Sequence, residues 1–448
     1  MGGKLLEDGF RRRTKQTEAD PHVDDALFIL ILLYFGGVLW LTYSLFSTIF
    51  LLRQQQQIAA APRTGRDWPT IDVLVPVKDE ADTIGACLQS ILDQDYRATT
   101  GGTQIAGATS ASNNAGRQDA AQTNASDSPP DGRPRLLVVN DRSTDNTAAA
   151  VQAVQDAHPH VKRLDIRELP EGLYGKPHAL HALAPQLRGD VLAFVDSDLH
   201  LEPHCLRTLT HHLLQHNLDW VATMGRPEIS RFWERLLVPL LGAITFAWYD
   251  PRKISDPAWP NAVGSALMIC RASAYRAIGG HRAVINIYDE DSELIRIAKR
   301  AGQRVSFVMV PELFRQRHYG TLKRTIHGIT RTLVGGLKTL PRIFITINSM
   351  FFVSVLPMVL LGAVGIAAAR GATIPHGGLL AGIAALHLVV STALIRVVHR
   401  TAGTGGSAVW LHPLGTLMMT YICLRAAVHL LRGARITWRG TSYERSPA

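Results

Sequence analysis

Residues 191–198 read Val-Leu-Ala-Phe-Val-Asp-Ser-Asp, and this stretch decides the fold. Five apolar residues in a row, with no polar alternation, make a short strand covered on both faces, as in a parallel sheet flanked by helices. The run stops at two carboxylates, Asp196 and Asp198. Residues i and i+2 after a strand point the same way. Paired carboxylate oxygens suit one hard divalent cation, which can also bridge phosphate oxygens.

Upstream, the same pattern repeats. Ile71–Val77 (IDVLVPV) runs into Lys78-Asp79-Glu80 and a helical pattern over 83–93. Residues 136–139 form a short apolar strand running into Asn140-Asp141-Arg142-Ser143-Thr144-Asp145, with a helix expected over 144–156. Residues 161–166 read as a strand and 178–186 as a helix, and Pro203 stands where a helix favours proline, at its first position. The fold class is α/β, a mainly parallel sheet with helices on both faces. Ligands in such sheets bind beyond the carboxyl ends of the strands. Three of those ends carry acids toward one crevice. Capping a helix accounts for Asp145 and partly for Asp79, but not for Asp196 and Asp198 together. A last cluster, Asp289-Glu290-Asp291, precedes Leu294, Ile297 and Ala298 at helical spacing. It is either an acidic helix start favoured by the dipole or the source of a general base. Lys176, in a Tyr-Gly-Lys-Pro turn, would meet a diphosphate or be solvated.

The remaining apolar residues gather in long runs. Residues 26–52 contain no Asp, Glu, Lys, Arg or His, and neither do residues 343–369, each run being 27 residues long. About 20 suffice for a helix to cross a bilayer. Runs at 379–398 and 410–431 are weaker, the last holding His412, Pro413 and Arg425. The first is too long for a cleaved signal and reads as an anchor. The expected plan is a tail at 1–25, a transmembrane helix at 26–52, an α/β domain at 68–314, an amphipathic interfacial helix within 315–342, a bundle of about three spans at 343–431 and a basic tail at 432–448. The interfacial stripe comprises Leu322, Ile326, Ile329, Leu333, Leu337 and Leu340; facing the domain core is the alternative. Phe232–Trp248 is a second segment that would contact either membrane or core. Residues 98–134, rich in Gly, Ser, Thr, Ala and Asn, lack the apolar surface to order themselves and read as a disordered insertion.

The chain of 448 residues carries 47 Lys and Arg against 37 Asp and Glu, a formal charge of +10. Seven of the cations and no acid fall in residues 315–342. This places the α/β domain on the cytoplasmic side of the inner membrane and makes an anionic bilayer surface the partner of the basic charge. Nucleic acid is not expected, because the cations border the apolar runs and no aromatic-interleaved groove accompanies them. Four isolated cysteines exclude a disulfide scaffold and offer no metal spacing.

In chain order, VPVKDEADTI, VVNDRSTDNT, GKPHAL, FVDSD and EDSEL resemble the family 2 glycosyltransferases of GT-A fold over residues 68–345. WERLLVP at 233–239, the glycine pair ahead of the acids, RHY at 317–319 and TWRGTSY near the end are most similar to the hopene-associated glycosyltransferases. Ceramide-glucosyltransferase-like and carotenoid enzymes are close relatives. The resemblance implies an inverting, non-processive transferase moving a sugar from a nucleotide-sugar donor, expected to be a UDP-sugar, to a hydroxyl of a membrane lipid acceptor related to the hopanoids. It implies Asp291 as general base and Asp198 with Asp196 as holders of Mg²⁺ or Mn²⁺. Pro76, Asp79, Glu80, Asp141, Lys176 and Asp196 would line the donor site, with Glu290, Arg317 and His318 as secondary candidates. Asn140 stands where the family usually has a second aspartate. The Gln-x-x-Arg-Trp motif of processive synthases is absent, the region reading RQRHYG. A processive polysaccharide synthase and a non-catalytic scaffold are the alternatives.

Overall fold

The computed structural model describes residues 21–54, 58, 61–62, 68–98, 130–317, 320–401, 409–432, 436–438 and 441–443. A long helix α1 (Pro21–Gln54) comes first. The α/β part follows as β1 (Ile71–Val77), α2 (Ile84–Leu92), β2 (Arg135–Asp141), α3 (Thr147–Ala157), β3 (Lys162–Ile166), α4 (Gly175–Ala182), β4 (Val191–Val195), β5 (Leu199–Leu201) and α5 (Cys205–Gln215). It continues through β6 (Trp220–Met224), β7 (Arg226–Glu228), α6 (Phe232–Trp248), α7 (Pro251–Ile254), β8 (Leu267–Arg271), α8 (Ala272–Ala277), α9 (Glu290–Arg300), β9 (Val305–Met309) and β10 (Phe314–Arg317). Helices α10 (Leu322–Leu337), α11 (Leu340–Ser354), α12 (Leu356–Ala369), α13 (Gly377–Thr401) and α14 (His412–Leu431) lead to a small hairpin, β11 (Ile436–Trp438) and β12 (Thr441–Tyr443).

Seven strands form one sheet in the order β3-β2-β1-β4-β8-β6-β9. Neighbours are parallel except around β8, which runs antiparallel to both β4 and β6. The apolar strands are covered on both faces, as expected. Val191, Ala193 and Val195 enter one core layer with Val73, Val75, Leu88 and Val138, whereas Leu192 and Phe194 enter the other with Leu74, Leu137 and Leu180. Burying each Val, Leu or Phe contributes about 1.5–3 kcal/mol, so two dry layers hold the sheet in place. The strand order reverses between β1 and β4, and in such sheets the ligand crevice lies at that point, beyond the carboxyl ends of the strands. At the opposite end, Asp72 is fully buried. Its carboxylate accepts from Arg135 at 3.1 Å and from the amides of Arg188 and Gly189 at 2.7 and 2.9 Å. A second sheet, β5-β10-β7, flanks the crevice.

Several expectations needed correction. Pro203 does not open a helix: α5 begins at Cys205, because β5 occupies the chain after Asp198 and a turn must follow it. Lys176 lies inside the first turn of α4 rather than before it. Residues 315–317 belong to strand β10, so the helical part of 315–342 starts at Leu322. The α10 stripe faces protein: Ile329, Leu333 and Leu337 are at most 2% exposed, and α10 packs along α6. Leu322 and Leu340, at the ends of the stripe, remain exposed. In α6 itself Leu236, Leu237 and Leu240 are buried, which favours core over membrane contact for its middle. Residues 99–129 of the glycine-rich insertion lie outside the described residues. At its carboxyl end the Gly132 carbonyl accepts from Ala98 N at 2.6 Å, which brings the two ends of the insertion together. Within the basic tail, β11 and β12 pair antiparallel.

Residues 21–54, together with 347–397 and 409–416, cluster as a helical unit of their own. Within it Ile31 and Val38 of α1 pack with Ile383 of α13, and the Tyr34 hydroxyl meets His387 Nδ1 at 2.7 Å. Hydrogen bonds between helices are a usual adhesive where the surroundings are apolar. Among the described residues, three helices are long and apolar enough to cross a membrane: Asp25–Ser44, Gly377–Arg400 and Val409–Leu431. The apolar run 343–369 is not one helix but two, α11 and α12, bent by 49° at their junction. Val355 separates them and Pro357 sits in the first turn of α12, where its missing N–H costs least.

Candidate active site

Four side chains from three elements meet beyond β4. Lys176, from the first turn of α4, lies 2.9 Å from Asp196 Oδ1, 2.9 Å from Glu290 Oε1 and 3.3 Å from both oxygens of Asp291. Asp196 follows β4 directly, and Glu290 and Asp291 open α9. The loop after β3 is held there by two contacts. Tyr174 N donates to Ile285 O at 3.0 Å, and the Tyr174 ring meets Tyr288 edge-on at 5.7 Å. Because Tyr288 immediately precedes the acids, this aromatic pair sets Lys176 against them.

The charges are unequal in their consequences. Burial lowers the affinity of Lys176 for its proton, but Asp196, Asp291 and Glu290 together outweigh it and push the pKa well above the ordinary lysine value. Asp291 is raised well above the usual carboxylate range by burial first and then by the neighbouring Glu290. Burial acts the same way on Glu290, yet Lys176 and the hydrogen bond to Asp291 more than offset it, and its pKa falls. The two acids act as a pair sharing one proton more readily than losing both. Asp291 is the member that holds the proton longer, and its side chain keeps 18% exposure against 7% for Glu290. A buried neighbour, His281, is pushed down to about 3 by burial, so it adds no charge to the cluster. Its ring rests on Phe194 and its Nδ1 meets the Tyr275 hydroxyl at 2.9 Å.

That floor depends on Gly280, whose φ is +54°; an added Cβ would stand 2.5 Å from the Tyr275 ring. Gly280→Ala is expected to cost about 1–3 kcal/mol through left-handed strain and overpacking. Thermal melting checks it; an unchanged midpoint would mean that the ring yields.

A second group of acids lines the crevice from β1 and β2. Asp79, at φ +50°, accepts from Thr144 N at 2.7 Å, and Glu80 accepts from the Thr83 hydroxyl at 2.9 Å. Asp141 is held at both oxygens by Arg142, at 2.7 and 2.9 Å. Lys78 donates to the carbonyls of Asp141 and Arg142, stitching the two loops together. Asn140 does not face the crevice: its amide donates to Asp165 Oδ1 at 2.8 Å, where an aspartate would oppose a like charge. Pro76 lies within β1 opposite Val139, apart from the cluster. Asp198 is anchored by β10. Its carbonyl accepts from Arg317 N at 2.9 Å and its Oδ2 from Gln316 at 3.4 Å. The exposed Arg317 also reaches the Asp82 carbonyl at 3.3 Å. His318 lies outside the described residues.

Residues 135–447 match the model of glycosyl transferase family 21, well over half of the chain. The chain belongs to glycosyl transferase family 21. The motifs had suggested family 2; both point to a transferase of GT-A-like fold. An N-acetylglucosaminyltransferase of Mesorhizobium japonicum is 25% identical over 209 residues, covering 45% of this chain and 40% of that relative, so the match spans less than half of the relative's length. Among solved structures, a mannosyltransferase of Pyrobaculum calidifontis, in complex with GDP-Man and Mn²⁺, is 19% identical with a TM-score of 0.46, over 91% of this chain and 99% of that one. Glucosyl-3-phosphoglycerate synthase of Mycobacterium tuberculosis, with Mn²⁺, UDP and product, is 17% identical with a TM-score of 0.35, over 60% and 80%.

Sequence reasoning passed over Glu234. This family-21 chain buries it at 1% exposure, and it accepts from the amides of Ser230 and Arg231, each at 3.0 Å, and of Gly320, at 2.8 Å. It thereby ties the start of α6 to the segment that follows Arg317. The available signal was a glutamate in the first turn of an apolar helix, which reads as a cap without showing the second, distant donor.

Proposed function

We propose that the protein is an inverting, metal-dependent, non-processive glycosyltransferase. It moves the sugar of a UDP-sugar to a hydroxyl of a membrane lipid, one related to the hopanoids, on the cytoplasmic face of the inner membrane. The observation that carries this reading is Asp291, a carboxylate with a raised pKa that keeps some exposure at the mouth of the strand crevice. Such a group can take the proton of an attacking hydroxyl near neutral pH. Asp141, Asp79 and Glu80 would receive the nucleoside, and Lys176 would turn from the acids toward the donor's diphosphate.

The donor set fits a divalent cation. The described residues hold no cluster of three or more His, Cys, Asp or Glu that would cage a metal by itself. Asp196 and Asp198 supply two carboxylates, the number Mg²⁺ takes when substrate phosphates and water complete its shell. The bound ion would neutralise charge on the leaving diphosphate. Lipid acceptance is supported by the candidate membrane helices. Mass spectrometry of lipids from cells with and without the protein tests the whole reading. Loss of one lipid bearing a single added sugar is expected; a ladder of sugars would favour polymer synthesis, and an unchanged lipid profile would refute a lipid acceptor.

A further inference from the structure

A buried lysine at the far end of α9 takes no part in the chemistry above. Lys299, in the last turn of that helix, is 8% exposed. Lysine is rarely buried so far unless a partner meets its charge. Here the ammonium group donates to three main-chain carbonyls rather than to a carboxylate: Ile254 O at 3.0 Å, Trp259 O, and Asn261 O at 3.3 Å. That uses all three of its protons. The carbonyls belong to the segment 254–264, which leads from α7 to β8 and is not part of a sheet. Pro257 and Pro260 bring no N–H to this segment. Main-chain carbonyls inside a protein need donors, and one side chain supplies three. Lys253 adds a second grip, lying over the Trp259 ring at 4.7 Å.

From Lys299 the segment runs along α9 to the acids. Lys299 and Ser292 are about 10 Å apart along the helix axis, and the step from Asn261 to Gly264 covers about the same distance when the chain is extended. Ala262 and Val263, buried on the way, share a core layer with Leu294, Ile295 and Ala298 of the helix. A Cβ on Gly264 would stand 3.6 Å from Ser292 Oγ and 3.9 Å from Asp291 Cβ. Two residues on, the Ala266 carbonyl accepts from Asp196 N at 2.9 Å. One stretch thus borders both the carboxylate that would take the acceptor's proton and a carboxylate that would hold the metal. We propose that Lys299 is a positioning residue for sugar transfer: by holding 254–264 along α9, it fixes Gly264–Ala266 between Asp291 and Asp196. This role deepens the transferase reading and rests on it; the tether itself does not.

Lys299→Met keeps most of the apolar stem and removes every donor. In hydrogen-exchange mass spectrometry of the full-length protein, amides of residues 258–266 should then exchange about tenfold faster, the least that losing hydrogen bonds to a charged group implies, while those of β1 and β4 hold. In native membranes, kcat for release of UDP from the UDP-sugar that wild type consumes fastest should fall about 10–100-fold, because a displacement of about 1 Å near the reacting atoms has a cost of that order. KM for the donor should change little, since β1 and β2 carry the groups that would receive the nucleoside. Lys299→Gln keeps two N–H groups and should fall between wild type and Lys299→Met. Arg135→Gln is the comparison: it unpairs Asp72 at the opposite end of the sheet and should lower the melting midpoint without lowering kcat. Unchanged exchange at 258–266 would overturn the tether. Faster exchange with wild-type kcat, or an equal loss of kcat in Arg135→Gln, would overturn the positioning role and leave Lys299 with stability alone. A wild type that consumes no UDP-sugar would refute the transferase reading, and the exchange experiment would still decide the tether.

Discussion

Asp291→Asn is expected to cut sugar transfer by about 10²–10⁴-fold, the usual contribution of a positioned general base, while UDP binding changes little. The reason is geometric as well as electrostatic. Asparagine keeps the shape and one oxygen that can accept from Lys176, but its NH2 cannot accept from that lysine and the side chain cannot take the acceptor's proton. In wild type, the proton on Asp291 must leave before it can act as a base. Its pKa is raised by burial and by Glu290, so the acid limb of kcat/KM should lie well above pH 4, where an ordinary aspartate would place it. Activity should rise with pH through that limb with a slope near one. Rates of transfer over a pH series, together with UDP titration of both proteins, check this. A variant retaining near-normal turnover would remove Asp291 from the role and pass it to Glu290.

Lys176→Met is expected to lower stability by about 3 kcal/mol at neutral pH. Breaking a buried ion pair costs about 3–5 kcal/mol, and the lower end applies because the lysine side chain keeps 21% exposure. Three carboxylates would then face one another without a cation. The sign with pH follows from the shifts. Lys176 has a raised pKa in the fold, so its contribution is complete below the ordinary lysine value and is lost only as pH rises through the folded value. In the variant, the acids repel one another more as they ionise, so its stability deficit should shrink on moving from pH 7 toward pH 4. A millimolar divalent cation should recover part of the loss if Asp196 helps to hold one, because a ligand bound to the native state stabilises it. Melting curves with and without Mn²⁺, at both pH values, provide the measurement. A deficit that does not depend on pH would show that the lysine matters for packing rather than charge.

Much of the α/β fold was legible because its signals are local. VLAFV and IDVLVPV carry too many apolar residues in succession for a one-sided strand, and both were found covered on two faces. The acids after β1, β2 and β4 could be placed at strand ends by the same reading. Less legible were features that depend on a distant partner. The α10 stripe has the same spacing whether it faces lipid or protein, and only the presence of α6 beside it decides. Asn140 looked like a departure from a motif until Asp165 appeared across the strand pair. Nothing local marks Glu234 as the acceptor for an amide 86 residues away.

The sequence by itself determined the mainly parallel sheet, the apolar runs and which acids end the strands, since each follows from the order of residues along one segment. Only the tertiary structure decided that Lys176 joins Asp196, Glu290 and Asp291, because these come from β4, α4 and α9 and no local pattern relates them. It also decided which carboxylate holds its proton, since burial and the distance to Lys176 and Glu290 set that balance. The bend between α11 and α12 is a third such case: the run 343–369 is apolar throughout, and hydrophobicity alone does not register a change of direction.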